Sequence, residues 1–230
     1  MAEIRVMLSA AFKEAYLELV PQFERATGHK VASLWVPSVQ MMSRLKGGEI
    51  VDLVILSRAS LEEIMKAGLI ATGGCHDLVK SGIGVAVKTG APRPDISSGE
   101  AVKRAVLAAK GIAYSTGPSG TYLMGLFQRM GIADQIKARV TQVQGEPAGG
   151  VVARGDAQIA FQQVSELLPV PGIELVGPLP PDIQEITTFS AGVHARAKEP
   201  AAAKALIDFF RAPAAHPVIR KNGMEPAQST

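Results

Sequence analysis

Four apolar stretches of this chain run into small hydroxyl-bearing segments. EIRVML leads into Ser9-Ala10-Ala11, VASLWV into Pro37-Ser38, DLVIL into Ser57-Arg58, and GIAYSTG into Pro118-Ser119-Gly120-Thr121. Read as strands followed by helices, they place four helix N-termini at strand ends. A helix N-terminus carries unpaired N–H groups and the positive end of the peptide dipole, so it attracts oxyanions and carboxylates. Such a set points to anion binding before it points to covalent chemistry. Ser9, Ala10, Ser38, Ser119 and Gly120 are therefore candidate ligand-binding residues. The competing reading of each serine is plain helix capping.

Arg58 follows its strand directly and can form a bidentate pair with a carboxylate. A tetrahedral oxyanion can be held by neutral dipoles alone, whereas a di- or tricarboxylate calls for a cation. Arg58 thus tilts the expected ligand towards organic acids, against the alternative of a solvated first-turn arginine. Gln162 and Gln163 end another strand, where an amide can donate to a carboxylate and accept from a hydroxyl. Adjacent strand residues face opposite ways, so one of the two serves the ligand and the other is structural. Tyr122 either covers a ligand or belongs to the core.

Other chemistries find little support. His29, His76, His194 and His216 are scattered without metal-ligand spacing, so no metal site and no cofactor are expected. Gly-Pro-Ser-Gly offers a serine in a turn without evident His or Asp partners, no Walker A sequence is present, and GGVVARG lacks the GxGxxG spacing. Glu146, Asp156 and Glu166 are each a general base or a surface charge, and the sequence does not choose among them.

Positioning these residues requires alternating strands and helices. Strands are expected at 4–8, 31–36, 51–56, 83–87, 111–114, 140–143, 151–153, 159–161, 173–176 and 187–194. The helix after the first strand is the clearest, because Phe12, Ala15, Tyr16, Leu19, Val20 and Phe23 form one apolar stripe that ends near Gly28. Further helices are expected at 38–45, from a capping box at Ser60–Glu63 to Ala67, and at 99–109, 121–130 and 200–211. This alternation predicts a doubly wound α/β architecture, in which ligands sit at the carboxyl ends of strands.

The bulk numbers agree with a globular binder. The chain has 230 residues, enough for one large or two small domains, with 47% hydrophobic and 20% charged residues. A net charge of +3 without a basic run gives no reason to expect nucleic acid, and 5% aromatic content argues against a stacking platform. The single Cys75, read as a bystander thiol, excludes an intrachain disulfide. No apolar run approaches the ~20 residues that span a bilayer. MAEIRVM enters a strand without a signal-peptide core, so the chain is expected in the cytoplasm, or in the periplasm if a leader was removed.

Several segments carry a family resemblance: GIGVAVKTGAPRPDIS, IAYSTGPSGTY, IAFQQVSELLPVPGIELVGPLP and the terminal NGMEP. Over nearly its whole length the chain resembles the periplasmic molybdate-binding proteins, solute receptors of ABC transporters. It is more closely similar to the extracellular solute-binding branch that includes an aconitate isomerase. The resemblance implies a type II periplasmic-binding-protein fold, with two doubly wound lobes joined by two crossover strands. Lobe one is placed at 1–82 plus 171–230 and lobe two at 83–170, with a small anionic ligand in the interlobe cleft and closure by hinge motion.

Carried over by position, the family's second-loop serine falls on Ser38 and its small lobe-two residue on Ser119, beside Gly120. Its backbone-donating valine falls near Gly145 or Glu146. Its first-loop serine falls on Ala11, with Ser9 two residues earlier, and its tyrosine on Gln163, so that hydroxyl is missing. An organic carboxylate is accordingly favoured over molybdate. The resemblance implies a monomeric solute-binding protein with an ABC transporter permease as partner. The alternatives are an aconitate-isomerase-type enzyme on the same scaffold and a cytoplasmic ligand sensor.

Overall fold

The computed structural model describes residues 1–227. They form two compact units, one comprising Met1–Ser81 with the described residues from Thr187 onward, the other Gly82–Ile186. Each is a sheet of strands with helices packed on it, and the chain passes from the first unit to the second and back.

The first unit begins β1 (Glu3–Leu8), a short 3-10 turn, α1 (Lys13–Thr27), β2 (Lys30–Trp35), α2 (Ser38–Lys46), β3 (Leu53–Ser57), α3 (Arg58–Lys66), then the long strand β4 (Ile70–Lys88). β1 lies parallel between β2 and β3, with Leu8 opposite both Trp35 and Ile55. That register brings the loops after β1, β2 and β3 to one edge of the sheet. The backbone ties them there: Ser9 N donates to Ile55 O at 3.3 Å and Val36 N to Leu8 O at 3.1 Å.

Each face of this sheet has its own core. Leu8, Phe12, Tyr16, Leu19 and Phe23 pack on one side with Phe210, whose ring meets Phe12 edge-on at 5.3 Å. Such an aromatic pair adds about 1 kcal/mol beyond its buried area. Met7, Met41, Leu45 and Leu61 fill the other face. Helix α1 ends on Gly28, whose φ of 75° lets its N–H reach Glu24 O at 2.9 Å.

The second unit adds α4 (Gly99–Ala108), β5 (Ile112–Ser115), α5 (Pro118–Arg129), α6 (Ala133–Ile136), β6 (Val140–Val143), α7 (Ala148–Arg154), β7 (Ile159–Gln163), α8 (Val164–Leu167) and β8 (Ile173–Pro178). β5 runs parallel to both β6 and β7, while β4 is antiparallel to β7 and β8. Ser115 pairs with Val143 and Tyr114 with Phe161, so the segments leading to α5, α7 and α8 also share one sheet edge.

The chain returns through β9 (Ile186–His194), then α9 (Pro200–Arg211), α10 (His216–Lys221) and β10 (Glu225–Pro226). β9 takes the place beside β3, antiparallel, with Ser57 opposite Phe189. At the far end of β3, the buried Asp52 carboxylate accepts from Arg5 N at 2.8 Å, Lys198 N at 2.7 Å and Glu199 N at 2.9 Å, pinning the start of α9 to the sheet. No helix among the described residues is long and apolar enough to cross a membrane.

Several expected boundaries differ. Residues 171–186, expected with the first lobe, pack with the second unit. β8 pairs with Gly84–Lys88, Leu179 N bonds Ile83 O, and the Gln184 amide brackets Ile83 N and O. Of the expected first lobe, 228–230 lie outside the described residues. The expected strand at 151–153 is helix α7, closed by Gly155 at φ 89°. Helix α3 is capped by Ser57, which accepts from Ser60 N, so it opens before the expected box at Ser60. β4 starts at Ile70 rather than at 83.

Candidate functional site

In the first unit, Ser9 follows β1 in extended conformation, is 8% exposed, and makes no side-chain cap bond. Ala10, next in line, is exposed. Ser38 is the first residue of α2; Pro37 holds the cap position, and no side chain caps that helix. Capping therefore does not occupy the Ser9 and Ser38 hydroxyls, whereas Ser57 and Ser98 do cap, at α3 and α4.

Arg58 opens α3 and is already committed. Its Nε donates to Glu62 Oε1 at 2.8 Å and its Nη1 to Asp77 Oδ1 at 2.9 Å. The same Asp77 oxygen accepts from Ser190 Oγ at 2.6 Å. Burial pushes the Asp77 carboxyl up, but the Ser190 and Arg58 hydrogen bonds together outweigh it and hold the group below the usual range. Hydrogen bonds to Glu62 and Asp77 push the Arg58 pKa higher still. Both of its ion pairs are 40% exposed or more on each side, where such pairs are worth about 0–1 kcal/mol. A ligand carboxylate can compete for this guanidinium at small cost. Cys75 is half-buried; burial pushes its thiol up, with Arg58 opposing, so it is not an activated nucleophile.

In the second unit, Gly117 caps α5, Pro118 fills its first position and Ser119 its second. Ser119 is 1% exposed, and its Oγ has no hydrogen-bond partner among the described residues. An unpaired buried hydroxyl carries an uncompensated desolvation cost of about 1–3 kcal/mol. Gly120 is sterically fixed, since a Cβ there would lie 1.6 Å from Ser115 O. The glycine lets the N-terminus of α5 press against the end of β5.

Gln163 ends β7, fully buried and opposite Ile83. Its neighbour Gln162 is the bridging amide: Oε1 accepts from Ala148 N at 2.8 Å, and Nε2 donates to Glu166 Oε1 at 2.9 Å. Tyr122 donates to Ile183 O at 2.8 Å and lies under the Arg129 guanidinium, which makes it part of the scaffold.

The structure separates the three carboxylates that sequence left equal. Glu146 and Asp156 both pair with Arg154 at the surface. Glu166 is largely buried with part of its surface accessible, and burial pushes its carboxyl up to about 7, against the lowering effect of the Gln162 hydrogen bond. Its one faint sequence signal is its place inside VSELL, flanked by apolar residues. The histidines serve separate places. His29 Nδ1 accepts from Ala2 N, His194 Nδ1 from Arg196 N, and His76 lies 3.5 Å from Arg211 Nη1.

Residues 4–225 match the profile of the family described as Bacterial extracellular solute-binding protein. An aconitate isomerase from a Pseudomonas species is 36% identical over 229 residues, covering 97% of this chain and 87% of the relative. The molybdate-binding protein ModA of Azotobacter vinelandii is 25% identical over 230 residues, covering 96% and 89%. The solved periplasmic molybdate-binding protein of Azotobacter vinelandii superposes with a TM-score of 0.79 at 19% identity, over 98% of this chain and all of the other.

Proposed function

Because the chain belongs to the bacterial extracellular solute-binding protein family, we propose that it binds a small organic polycarboxylate of the aconitate class in preference to molybdate. Ser119 carries the reading. A buried, unpartnered hydroxyl in the first turn of a 12-residue helix offers an anion a hydrogen bond that the protein itself leaves unmade. The candidate contacts are Ser9, Ala10, Ser38 and Arg58 among the residues of the first unit, and Ser119, Gly120 and Gln163 among those of the second. Arg58, with weakly held partners, favours a carboxylate, and the 36% identity to an aconitate isomerase exceeds the 25% to a molybdate receptor. In a periplasmic setting, the loaded protein delivers its ligand to an ABC transporter permease.

Calorimetry with trans-aconitate, cis-aconitate, citrate, molybdate and sulfate tests this. Carboxylate binding without molybdate binding is the expected result. Binding of molybdate alone overturns it.

A second reading is favoured by one specific observation. Glu166 combines partial burial with a carboxyl near neutrality, which suits a group that takes a proton and returns it. In this reading the chain also interconverts trans- and cis-aconitate, and incubation with trans-aconitate followed by product separation tests it.

A further inference from the structure

Gln162 has only one usable orientation. A backbone N–H can only donate, so the contact with Ala148 N fixes Oε1 on that side. The amide N–H2 must then face Glu166, where it holds Oε1 at 2.9 Å. Among the described residues, Oε2 of Glu166 has no hydrogen-bond partner, and the residue keeps part of its surface accessible. One carboxyl oxygen is thus clamped and the other left open, immediately after the strand that ends in Gln163.

The charged groups of α7 and β8 are engaged elsewhere. Arg154 of α7 is held by Glu146 and Asp156, Glu174 of β8 by Arg93, and Lys88 lies at the far end of β4 near Gly155. β7 carries no charged residue, and α8 none besides Glu166.

We propose that Glu166 is the acid–base group of an aconitate-type isomerisation, with Gln162 as its positioning residue; the inference rests on the isomerase reading above. The methylene C–H bond of trans-aconitate breaks, and the proton passes to Oε2 of Glu166. The freed pair becomes a new C=C bond to the central carbon. The pair of the old double bond takes the proton back at the former vinylic carbon. Atoms and electrons balance within the substrate and one carboxyl, so no oxidant, reductant or second reactant is needed. A carboxyl near pKa 7 divides its population between base and acid at neutral pH, as this shuttle requires.

The test compares wild type with Glu166→Gln and Glu166→Asp. Turnover of trans-aconitate, deuterium uptake from heavy water, affinity for trans-aconitate and melting temperature are read for each. Glu166→Gln is expected to lose about 10²–10⁴-fold in kcat, with deuterium uptake lost and affinity kept within about threefold. Glu166→Asp is expected to recover part of the rate with a displaced pH profile, and wild-type kcat/KM to rise through a limb near pH 7. Turnover by Glu166→Gln within about threefold of wild type overturns the assignment while leaving the isomerase reading intact. A wild type that binds trans-aconitate but never converts it overturns both. If Glu166→Gln fails to fold, a wild-type profile without the limb overturns the assignment, and an aspartate variant that moves the limb supports it.

Discussion

A Cβ placed on Gly120 would lie 1.6 Å from the carbonyl oxygen of Ser115, so the first turn of α5 and the end of β5 meet at a distance only glycine allows. The neighbouring Ser119 is buried by the same approach, which explains how a hydroxyl comes to be enclosed without a partner. Gly120→Ala forces backbone to move and is expected to cost about 3 kcal/mol or more. Urea unfolding checks it, and a loss under about 0.5 kcal/mol contradicts the packing described.

Ser119→Ala separates binding from stability. Removing an unpaired buried hydroxyl is expected to leave the ligand-free protein as stable as wild type, or more stable by about 1 kcal/mol. Affinity for a polycarboxylate should fall about tenfold or more, the worth of a hydrogen bond to a charged group. Differential scanning calorimetry without ligand and titration with trans-aconitate give the two numbers. Parallel losses in both would make Ser119 merely structural.

The raised Glu166 pKa also has a thermodynamic signature. Between its ordinary unfolded value and about 7, the folded state binds more protons than the unfolded state. Its contribution is fully present below pH ~4.3 and is lost as pH rises through about 7. Glu166→Gln is therefore expected to gain on wild type with rising pH, by an amount on the order of 3 kcal/mol across that window. Denaturant midpoints at pH 5 and pH 8 measure it, and a constant difference counts against the burial of Glu166.

Asp77 behaves oppositely. Burial raises its pKa, but the Ser190 and Arg58 bonds bring it below the usual range, so its stabilisation is present above the unfolded value and lost as pH falls through the folded one. Asp77→Asn should flatten the acid limb of the stability curve below pH ~4, by less than about 1 kcal/mol given its partial exposure. It should also release Arg58 and tighten carboxylate binding. Weaker binding would place Asp77, not Arg58, at the ligand.

Much of this arrangement is legible in the sequence where one periodicity dominates. The α1 stripe ends where Gly28 ends it, and the strands before Ser9, Ser38 and Arg58 read correctly because they are short apolar runs bounded by breakers. Val151–Ala153 misleads because two valines between glycines look extended. In the fold, Ala148, Gly149, Val151 and Val152 bury one helical face instead. The first half of β4, with its glycines and half-exposed polar residues, has no alternation to reveal it. The partners of Arg58 lie 4 and 19 residues away, and Ser190 lies 113 residues from Asp77, so no local pattern announces that network. The three second-unit carboxylates differ only in enclosure, which depends on strand pairing and not on spacing.

The interposition of β9 between β3 and β4 has a consequence for biosynthesis. A nascent chain that has just emitted Ile186 holds every residue of the Gly82–Ile186 unit, but its earlier segment still lacks a central strand and the α9 cap on Asp52. During that interval β3 is paired with β1 on one side only, and the opposite edge of Leu53–Ser57, which β9 later covers, stays open. The later-emerging unit is thus the one whose strands are all present first, and the sheet begun first is completed last, when β9 and then β10 take their places.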